Sequence, residues 1–316
     1  MTALRLGTRG SALARTQSDG VRRALGEEGA GPVEVVVIQT TGDMRIDRPL
    51  PEIGGKGLFT RELDRALLEG VIDLAVHSLK DLPTEQEPGL AVVAVPLRED
   101  PRDVLVGPTG KAVTLAGLPS GARVGTSSLR RRALLLAMRP DLRVDSVRGN
   151  LDTRLRKLDD GEYDALVLAA AGLRRMGLED RVGEWLERTA FVPAPAQGAL
   201  GIVARADDRT VAAALSPLRD APSERAVRAE RAMLAALEGG CQVPIAALGL
   251  PYEGGLRLWG LVASPDGRRV VRGDLTGEPE DPEGLGARLA GVLRERGAME
   301  ILDAIPDEAT QGLSHP

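Results

Sequence analysis

Cysteine is almost missing from this chain: there is one thiol, Cys241, in 316 residues. A lone cysteine closes no intrachain disulfide and has no partner thiolate for a metal site. Histidine is nearly as scarce, at two copies. His315 falls in a terminal stretch, 310–316, that reads as disordered, and His77 stands alone after an apolar strand. That excludes a multi-histidine metal site and leaves a Ser-His-Asp triad without support. Aromatic residues are 2% of the chain and the net charge is −5, which excludes nucleic acid as a general partner: few rings for bases to stack on, no basic field to hold phosphates. No apolar run approaches the ~18 residues of a membrane-spanning helix. Nor does the run from Met1 to Ala14 contain a signal-peptide core, so with one cysteine the reducing cytoplasm is the expected compartment.

What is present is ordinary in amount, with 43% hydrophobic and 28% charged residues, and informative in order. The length suggests two or three domains. Strand and helix signals alternate through the first two-thirds: a strand over Ala3–Thr8, a helix over Ser11–Glu28 with Leu13, Gln17, Val21 and Leu25 on one stripe, and a β-branched run over Val33–Gln39. A helix over Leu58–Glu69 and a buried strand over Ile72–Val76 follow. Such alternation predicts an α/β architecture with a mainly parallel sheet.

The pattern then echoes itself. Leu6-Gly7-Thr8-Arg9 returns as Val124-Gly125-Thr126-Ser127, and Glu69-Gly70-Val71-Ile72-Asp73 as Asp160-Gly161-Glu162-Tyr163-Asp164. Two related α/β lobes facing a cleft are expected. The first copy is longer, and Gly42–Gly57, rich in glycine and charge, absorbs much of the excess as a long loop, either an active-site lid or a solvated surface segment. The last third changes style, with a helix over Ala221–Leu237, two strands around the turn Pro265-Asp266-Gly267, and a helix over Pro282–Arg296. This predicts a small α+β domain whose first loop carries Cys241.

Basic and hydroxyl residues gather at strand ends. Gly125-Thr126-Ser127-Ser128-Leu129-Arg130-Arg131-Arg132 follows a strand, with Ser127 or Ser128 as helix cap. Free backbone N–H groups and the positive helix end there suit an anion, and arginines add charge-assisted donors. A capped helix with solvated arginines is the plainer alternative. The theme recurs with Thr8, Arg9 and Ser11, with Arg148-Gly149-Asn150 and Arg154, and with Arg174 and Arg175. Carboxyl ends of strands are where open α/β sheets bind ligands, so a small molecule with several carboxylates is inferred. His77-Ser78-Leu79-Lys80-Asp81-Leu82-Pro83 adds a carboxylate beside a cation, which is either a functional acid or a turn residue before proline. Gly54-Gly55-Lys56-Gly57 resembles part of a phosphate loop but lacks the following Ser/Thr and the upstream glycine, which excludes an NTPase. Cys241, behind Gly239-Gly240, is open to approach from one side and is either a reactive thiol or a plain buried one.

Taken together, these runs resemble the porphobilinogen deaminase (hydroxymethylbilane synthase) family. The matching motifs are Thr8-Arg9-Gly10-Ser11, Gly54 to Phe59, His77 to Pro83, Gly125 to Arg131, Arg148-Gly149-Asn150, Pro195-Ala196-Gln197-Gly198-Ala199 and Gly239 to Pro244, spread from about Leu4 to Ile301. The resemblance implies two periplasmic-binding-protein-like lobes, residues 1–98 plus 199–217 and residues 99–198, a small α+β domain over 218–302 and a tail over 303–316. Crossovers would lie at Arg98–Val104 and near Pro195, with a returning strand over Ala199–Ala206.

The resemblance also implies chemistry. Family members carry a dipyrromethane cofactor, two linked pyrroles bound as a thioether to the cysteine matching Cys241. They condense four porphobilinogen molecules with loss of ammonia and release 1-hydroxymethylbilane. Asp81 would be the catalytic carboxylate. Arg9, Arg130, Arg131, Arg148, Arg154 and Arg175 would hold acetate and propionate groups, aided by Ser11, Lys56, Lys80, Thr126, Ser127, Ser128 and Gln197. A cytoplasmic monomer with no nucleic-acid or membrane partner is expected. The rival class is a two-lobed binding protein for a polyanionic solute; it predicts export and gives no reason for Cys241 or Asp81.

Overall fold

The computed structural model describes residues 3–40, 60–238 and 243–305. The first strand-helix alternation gives β1 (Leu4–Arg9), α1 (Ala12–Glu27), β2 (Val33–Ile38), α2 (Arg61–Leu68), β3 (Leu74–Ser78) and β4 (Leu90–Ala94). The second gives β5 (Asp103–Val106), β6 (Arg123–Gly125), α3 (Leu129–Met138), β7 (Arg143–Asp145), α4 (Leu151–Asp159), β8 (Ala165–Ala169), α5 (Ala170–Arg175) and β9 (Val182–Trp185). Then come β10 (Leu200–Arg205), α6 (Arg209–Leu215), α7 (Ala221–Ala236), β11 (Ile245–Tyr252), β12 (Gly255–Ala263), β13 (Val270–Gly277), α8 (Pro282–Glu295) and α9 (Ala298–Asp303). The chain forms two units, Met1–Glu99 with Gly198–Glu224, and Asp100–Gln197 with Arg225–Pro316.

One topology is used twice. The first sheet runs β2-β1-β3-β10-β4 and the second β7-β6-β8-β5-β9. In each, three neighbouring strands are parallel, and the fourth is antiparallel to both of its neighbours. Of these antiparallel strands, β5 is the first strand of its unit, and β10 is the first after the chain returns to its own.

The sequence echoes mark positions where sterics leave little choice. A Cβ on Gly7 would collide with Ile72, and one on Gly125 would lie 2.5 Å from Leu166 Cδ2 and 2.9 Å from Tyr163 Cδ1. Ile72 and Tyr163 are themselves echo partners. Gly70 and Gly161 follow the C-termini of α2 and α4 with φ of 69° and 82°, a left-handed turn that glycine adopts without strain. Asp73 and Asp164 then do one job: their carboxylates accept from the backbone N–H of Arg5 (2.8 Å) and Arg123 (2.7 Å), fixing the start of the adjacent strand.

Leu6, Leu25, Leu74, Val76, Ile202 and Leu215 are among the residues of the first core. On α1 the buried stripe is Gln17, Ser18, Val21 and Leu25, so Ser18 takes the place expected of Leu13. β8 stops at Ala169, because Ala170 already begins α5. The small sheet has three strands, not the two read from sequence, in the order β11-β12-β13. Its first two strands are buried on both faces: Ala246, Leu248, Leu261 and Ala263 share a core with Leu134 and Leu135 of α3, while Ile245, Ala247, Leu258 and Val262 pack with Met233, Leu285 and Leu289.

Filling the space above Gly125 should be costly. Gly125→Ala is expected to lower unfolding stability by about 1–3 kcal/mol through overpacking against Leu166 and Tyr163, read as a fall in the denaturant midpoint at unchanged m-value. An unchanged midpoint would show that the strand end is not close-packed.

Candidate functional site

In the first unit two neighbouring parallel strands end side by side. β1 delivers Arg9; Ser11 caps α1 by accepting from the Ala14 N–H at 3.3 Å, and buried Thr8 donates to the Ala14 carbonyl at 3.2 Å. β3 runs into a single tight turn, Leu79–Asp81. Leu79 and Leu82 are buried and anchor that turn, and the Leu79 N–H donates to the Ala199 carbonyl at 3.0 Å. Between these anchors Lys80 is half-buried and Asp81 exposed. No hydrogen bond or ion pair ties the Asp81 carboxylate to another described residue, so its side chain does not hold the turn together. Gln17 on α1 donates to Ser78 Oγ at 3.0 Å, locking helix to strand next to it.

His77, one step back on β3, is 6% exposed, and its Nε2 has no hydrogen-bond partner among the described residues. Burial, reinforced by the nearby charge of Arg9, pushes its pKa down to about 4. The imidazole is therefore neutral at physiological pH and adds no charge beside Lys80 and Asp81.

In the second unit the parallel strands β7, β6 and β8 present the equivalent ends. After β6, Thr126 is buried and accepts from the Ser128 N–H at 3.2 Å; Ser128 caps α3 by accepting from the Arg131 N–H at 3.4 Å. Ser127 is exposed, with its Oγ 3.0 Å from Ser146 Oγ and donating to the Val147 carbonyl at 2.5 Å. Arg148 follows β7 and is half-buried, with no hydrogen bond or ion pair to another described residue. Arg154, on α4, donates to the Gly149 carbonyl at 2.8 Å. Arg175 is half-buried at the end of α5, and Arg174 before it lies 5.0 Å from the Trp185 ring centroid and pairs with Glu179 at 3.0 Å.

Arg130 and Arg131 are not the solvated side chains of the plainer reading. They are 2% and 6% exposed and converge on Asp103, which is fully buried at the start of β5. Arg131 Nε and Nη2 donate to Asp103 Oδ1 at 3.0 and 2.7 Å, and its Nη1 donates to the Val167 carbonyl at 3.0 Å. Arg130 Nη1 donates to the Val192 carbonyl at 2.8 Å and sits 2.8 Å from Asp103 Oδ2; that second contact is an ion pair without hydrogen-bond geometry, since Oδ2 has no hydrogen-bond partner. Gln197 completes the cluster. Its Nε2 donates to the Pro101 carbonyl at 2.8 Å and to Asp103 Oδ1 at 2.9 Å, while its Oε1 accepts from Arg131 at 3.4 Å. Burial opposes ionisation of Asp103, but the charges of Arg130 and Arg131 outweigh it and hold the pKa at about 2. Burial, together with Arg131's charge, pushes Arg130 below the usual arginine range, against the pull of Asp103. Among the described residues the cluster holds two cations and one carboxylate, and Arg130 Nε is buried without an acceptor.

Asp103 and Glu230 are the residues the sequence reading missed. An acid at the head of the apolar run Asp103-Val104-Leu105-Val106 is the only local signal for the first. Glu230, fully buried on α7, accepts from the Ala196 N–H at 2.5 Å and the Gly249 N–H at 2.7 Å. Ala196 has φ of 62°, costly for a residue with a Cβ, and this carboxylate helps hold it there next to Gln197. Lys56, Cys241 and the segment 42–57 lie outside the described residues. Among the described residues no group of His, Cys, Asp and Glu is arranged to hold a metal ion, and no helix is long and apolar enough to cross a membrane.

Neutral, buried His77 ties stability to pH. The unfolded chain takes up a proton at this side chain below its ordinary pKa of 6.5, whereas the folded chain does so only near 4. Its contribution is therefore complete above pH 6.5 and is lost as pH falls toward 4, by about 3 kcal/mol in all. His77→Gln is expected to flatten the fall in Tm across that window. Parallel Tm–pH curves for the two proteins would contradict a neutral buried imidazole.

Known proteins are similar to this sequence over nearly its whole length. Residues 4–213 match the family model "Porphobilinogen deaminase, dipyromethane cofactor binding domain", and residues 225–295 match "Porphobilinogen deaminase, C-terminal domain". A porphobilinogen deaminase of Syntrophobacter fumaroxidans is 48% identical over 305 residues, covering 96% of this chain and 97% of its own. One from a Roseiflexus species is 51% identical over 298 residues, covering 94% and 97%. The chain belongs to the porphobilinogen deaminase family.

Proposed function

We propose that this chain is a hydroxymethylbilane synthase of tetrapyrrole synthesis, condensing four porphobilinogen molecules with loss of ammonia, and that Asp81 is its catalytic carboxylate. The family supports the reaction class. The observation that carries the role of Asp81 is its placement: an exposed carboxylate without a protein partner among the described residues, on a turn pinned by Leu79 and Leu82, with Arg9 at the end of the adjacent strand. As ammonia leaves porphobilinogen, positive charge develops on the substrate's methylene carbon. A carboxylate fixed beforehand stabilises that charge without reorganising, and it can accept hydrogen bonds from pyrrole N–H groups. Neutral His77 behind it leaves the negative charge of Asp81 undiminished by a further cation.

The residues present suit a dipyrromethane, whose two pyrroles carry acetate and propionate groups and no positive charge. Among the described residues the buried arginine pair has one carboxylate too few and an unmet Arg130 donor, and Thr126, Ser127, Ser128 and the start of α3 lie beside it. Arg130 and Arg131 would hold its carboxylates, with Cys241 as the thioether anchor; when bound, the group supplies the free pyrrole carbon at which condensation occurs. Arg9, Ser11, Lys56, Lys80, Arg148, Arg154 and Arg175 would bind the remaining carboxylates. Gln197, its amide engaged by Pro101, Asp103 and Arg131, supports the site by orienting the arginines. We read the chain as a cytoplasmic monomer. A binding protein for a polyanionic solute is not favoured by the family match.

Intact mass tests the anchor. Purified protein is expected to exceed its sequence mass by roughly two pyrrole units, and Cys241→Ser to show sequence mass alone and no turnover. A wild type that is fully active at its bare sequence mass excludes the thioether.

Two substitutions separate charge from shape at Asp81. Asp81→Asn keeps size and hydrogen bonding, and it is expected to remove nearly all turnover with an unchanged Tm. Asp81→Glu keeps the charge but displaces it, costing about 10²-fold in kcat. Wild-type turnover in Asp81→Asn would reduce Asp81 to a turn residue.

A further inference from the structure

The two arginines at the start of α3 raise a physical problem that the proposed function does not address. Adjacent guanidiniums repel one another, the positive end of a helix disfavours them, and burial removes their solvation. Left to themselves, long cationic side chains extend their heads into water. Here both turn inward, to 2% and 6% exposure. What draws them in is not a residue of their own helix. Asp103 comes from β5, 28 residues earlier in sequence, and enters the space between the two arginines with no exposed surface of its own.

The fixation is specific to each arginine. Arg131 is held at three of its nitrogens, two on Asp103 and one on the Val167 carbonyl of β8. Among the described residues Arg130 is held at Nη1 alone, by the Val192 carbonyl and the charge of Asp103, and its Nε has no acceptor there. The carboxylate is in turn oriented by Gln197, whose amide is also bonded to the Pro101 carbonyl. One carboxylate against two cations retains the arginines without neutralising them. A second acid would satisfy the pair and compete with any incoming anion; with none, the arginines would swing out.

We propose that Asp103 is a positioning residue for the anionic pyrrole cofactor: it holds Arg130 and Arg131 in the orientation and at the net charge that receive the cofactor's carboxylates. This rests on the reading of the chain as a dipyrromethane-carrying enzyme and adds to it a residue that never touches the cofactor. Asp103 acts before turnover, when the cofactor is acquired, so its loss is read in cofactor content and not only in rate.

The test compares wild type, Asp103→Asn, Arg131→Leu and the double variant, purified from one host, by the fraction of chains carrying the two-pyrrole adduct in intact mass spectra. Cofactor-free protein is then titrated with porphobilinogen, following adduct formation by mass. Val211→Ala, a buried position in the first unit, controls for lost stability alone. Asp103→Asn is expected to raise the porphobilinogen concentration for half-maximal adduct formation by about tenfold or more. It is also expected to add little to Arg131→Leu in the double variant, while Val211→Ala, with a lowered Tm, acquires the adduct normally. A folded Asp103→Asn protein that acquires the adduct like wild type, or effects that multiply in the double variant, overturns the proposal. If Asp103→Asn does not fold, Gln197→Ala decides: it frees the carboxylate from its orienting amide and is expected to shift the same titration in the same direction, and no shift overturns the proposal. A wild type that never carries the adduct overturns the functional reading and this inference together, and differs from failure of Asp103 alone, in which wild type is loaded and the variant equally so.

Discussion

Two positive charges can stay inside a protein only if something negative stays with them, and in this chain one buried carboxylate does so for two guanidiniums. The ion pairs of Asp103 with Arg130 and Arg131, at 2.8 and 2.7 Å, sit where three stretches of chain meet: the head of β5, the first turn of α3 and the segment ending at Gln197. Truncating one partner of such a cluster leaves the others uncompensated in a poor solvent for charge, which costs more than the pairing itself contributes. The arginine cluster of the second unit is thus set by residues with almost no exposed surface, whereas the strand ends of the first unit present an exposed acid on a tightly anchored turn.

The proposed roles account for this contrast. Cations proposed to retain a ligand through successive condensations would benefit from rigidity and from low dielectric, both of which burial supplies. A carboxylate proposed to meet a transient charge has to be reachable, and Asp81 is exposed. The hydrophobic anchors Leu79 and Leu82 give it a fixed position without enclosing it. His77 contributes by staying neutral.

Much of this was legible in the sequence wherever a constraint acts through single residues. Gly7 and Gly125 echo one another because a Cβ fits at neither; Asp73 and Asp164 do so because each ties down the start of a neighbouring strand. The strand-end cations and the acid after β3 stood out because hydroxyls, arginines and carboxylates cluster there against an apolar background. What escaped depends on partners remote in the chain. Asp103 looks like the polar edge of a strand; its meaning comes from Gln197, 94 residues away, and from arginines 28 residues off. Sequence reading assigns Arg130 and Arg131 to a ligand but gives no sign of their burial. β11 was passed over because Gly249 and Pro251 interrupt an otherwise apolar run, and only pairing with β12 along its whole length makes it a strand.

The exchange of antiparallel strands bears on how the chain is made. β4 pairs only with β10, and β10 separates it from β3. While the N-terminal part is being synthesised, β3 and β4 therefore have no strand between them until Arg205 has emerged, about a hundred residues after Ala94. The second sheet has no such wait, since β5 precedes the strands it joins and β9 closes the set at Trp185. Order of completion on the ribosome thus runs opposite to order in the sequence: the sheet that begins second is whole first, and the nascent first sheet exposes two unpaired strand edges, the kind of surface that attracts chaperones and foreign strands, for the time it takes to translate the other.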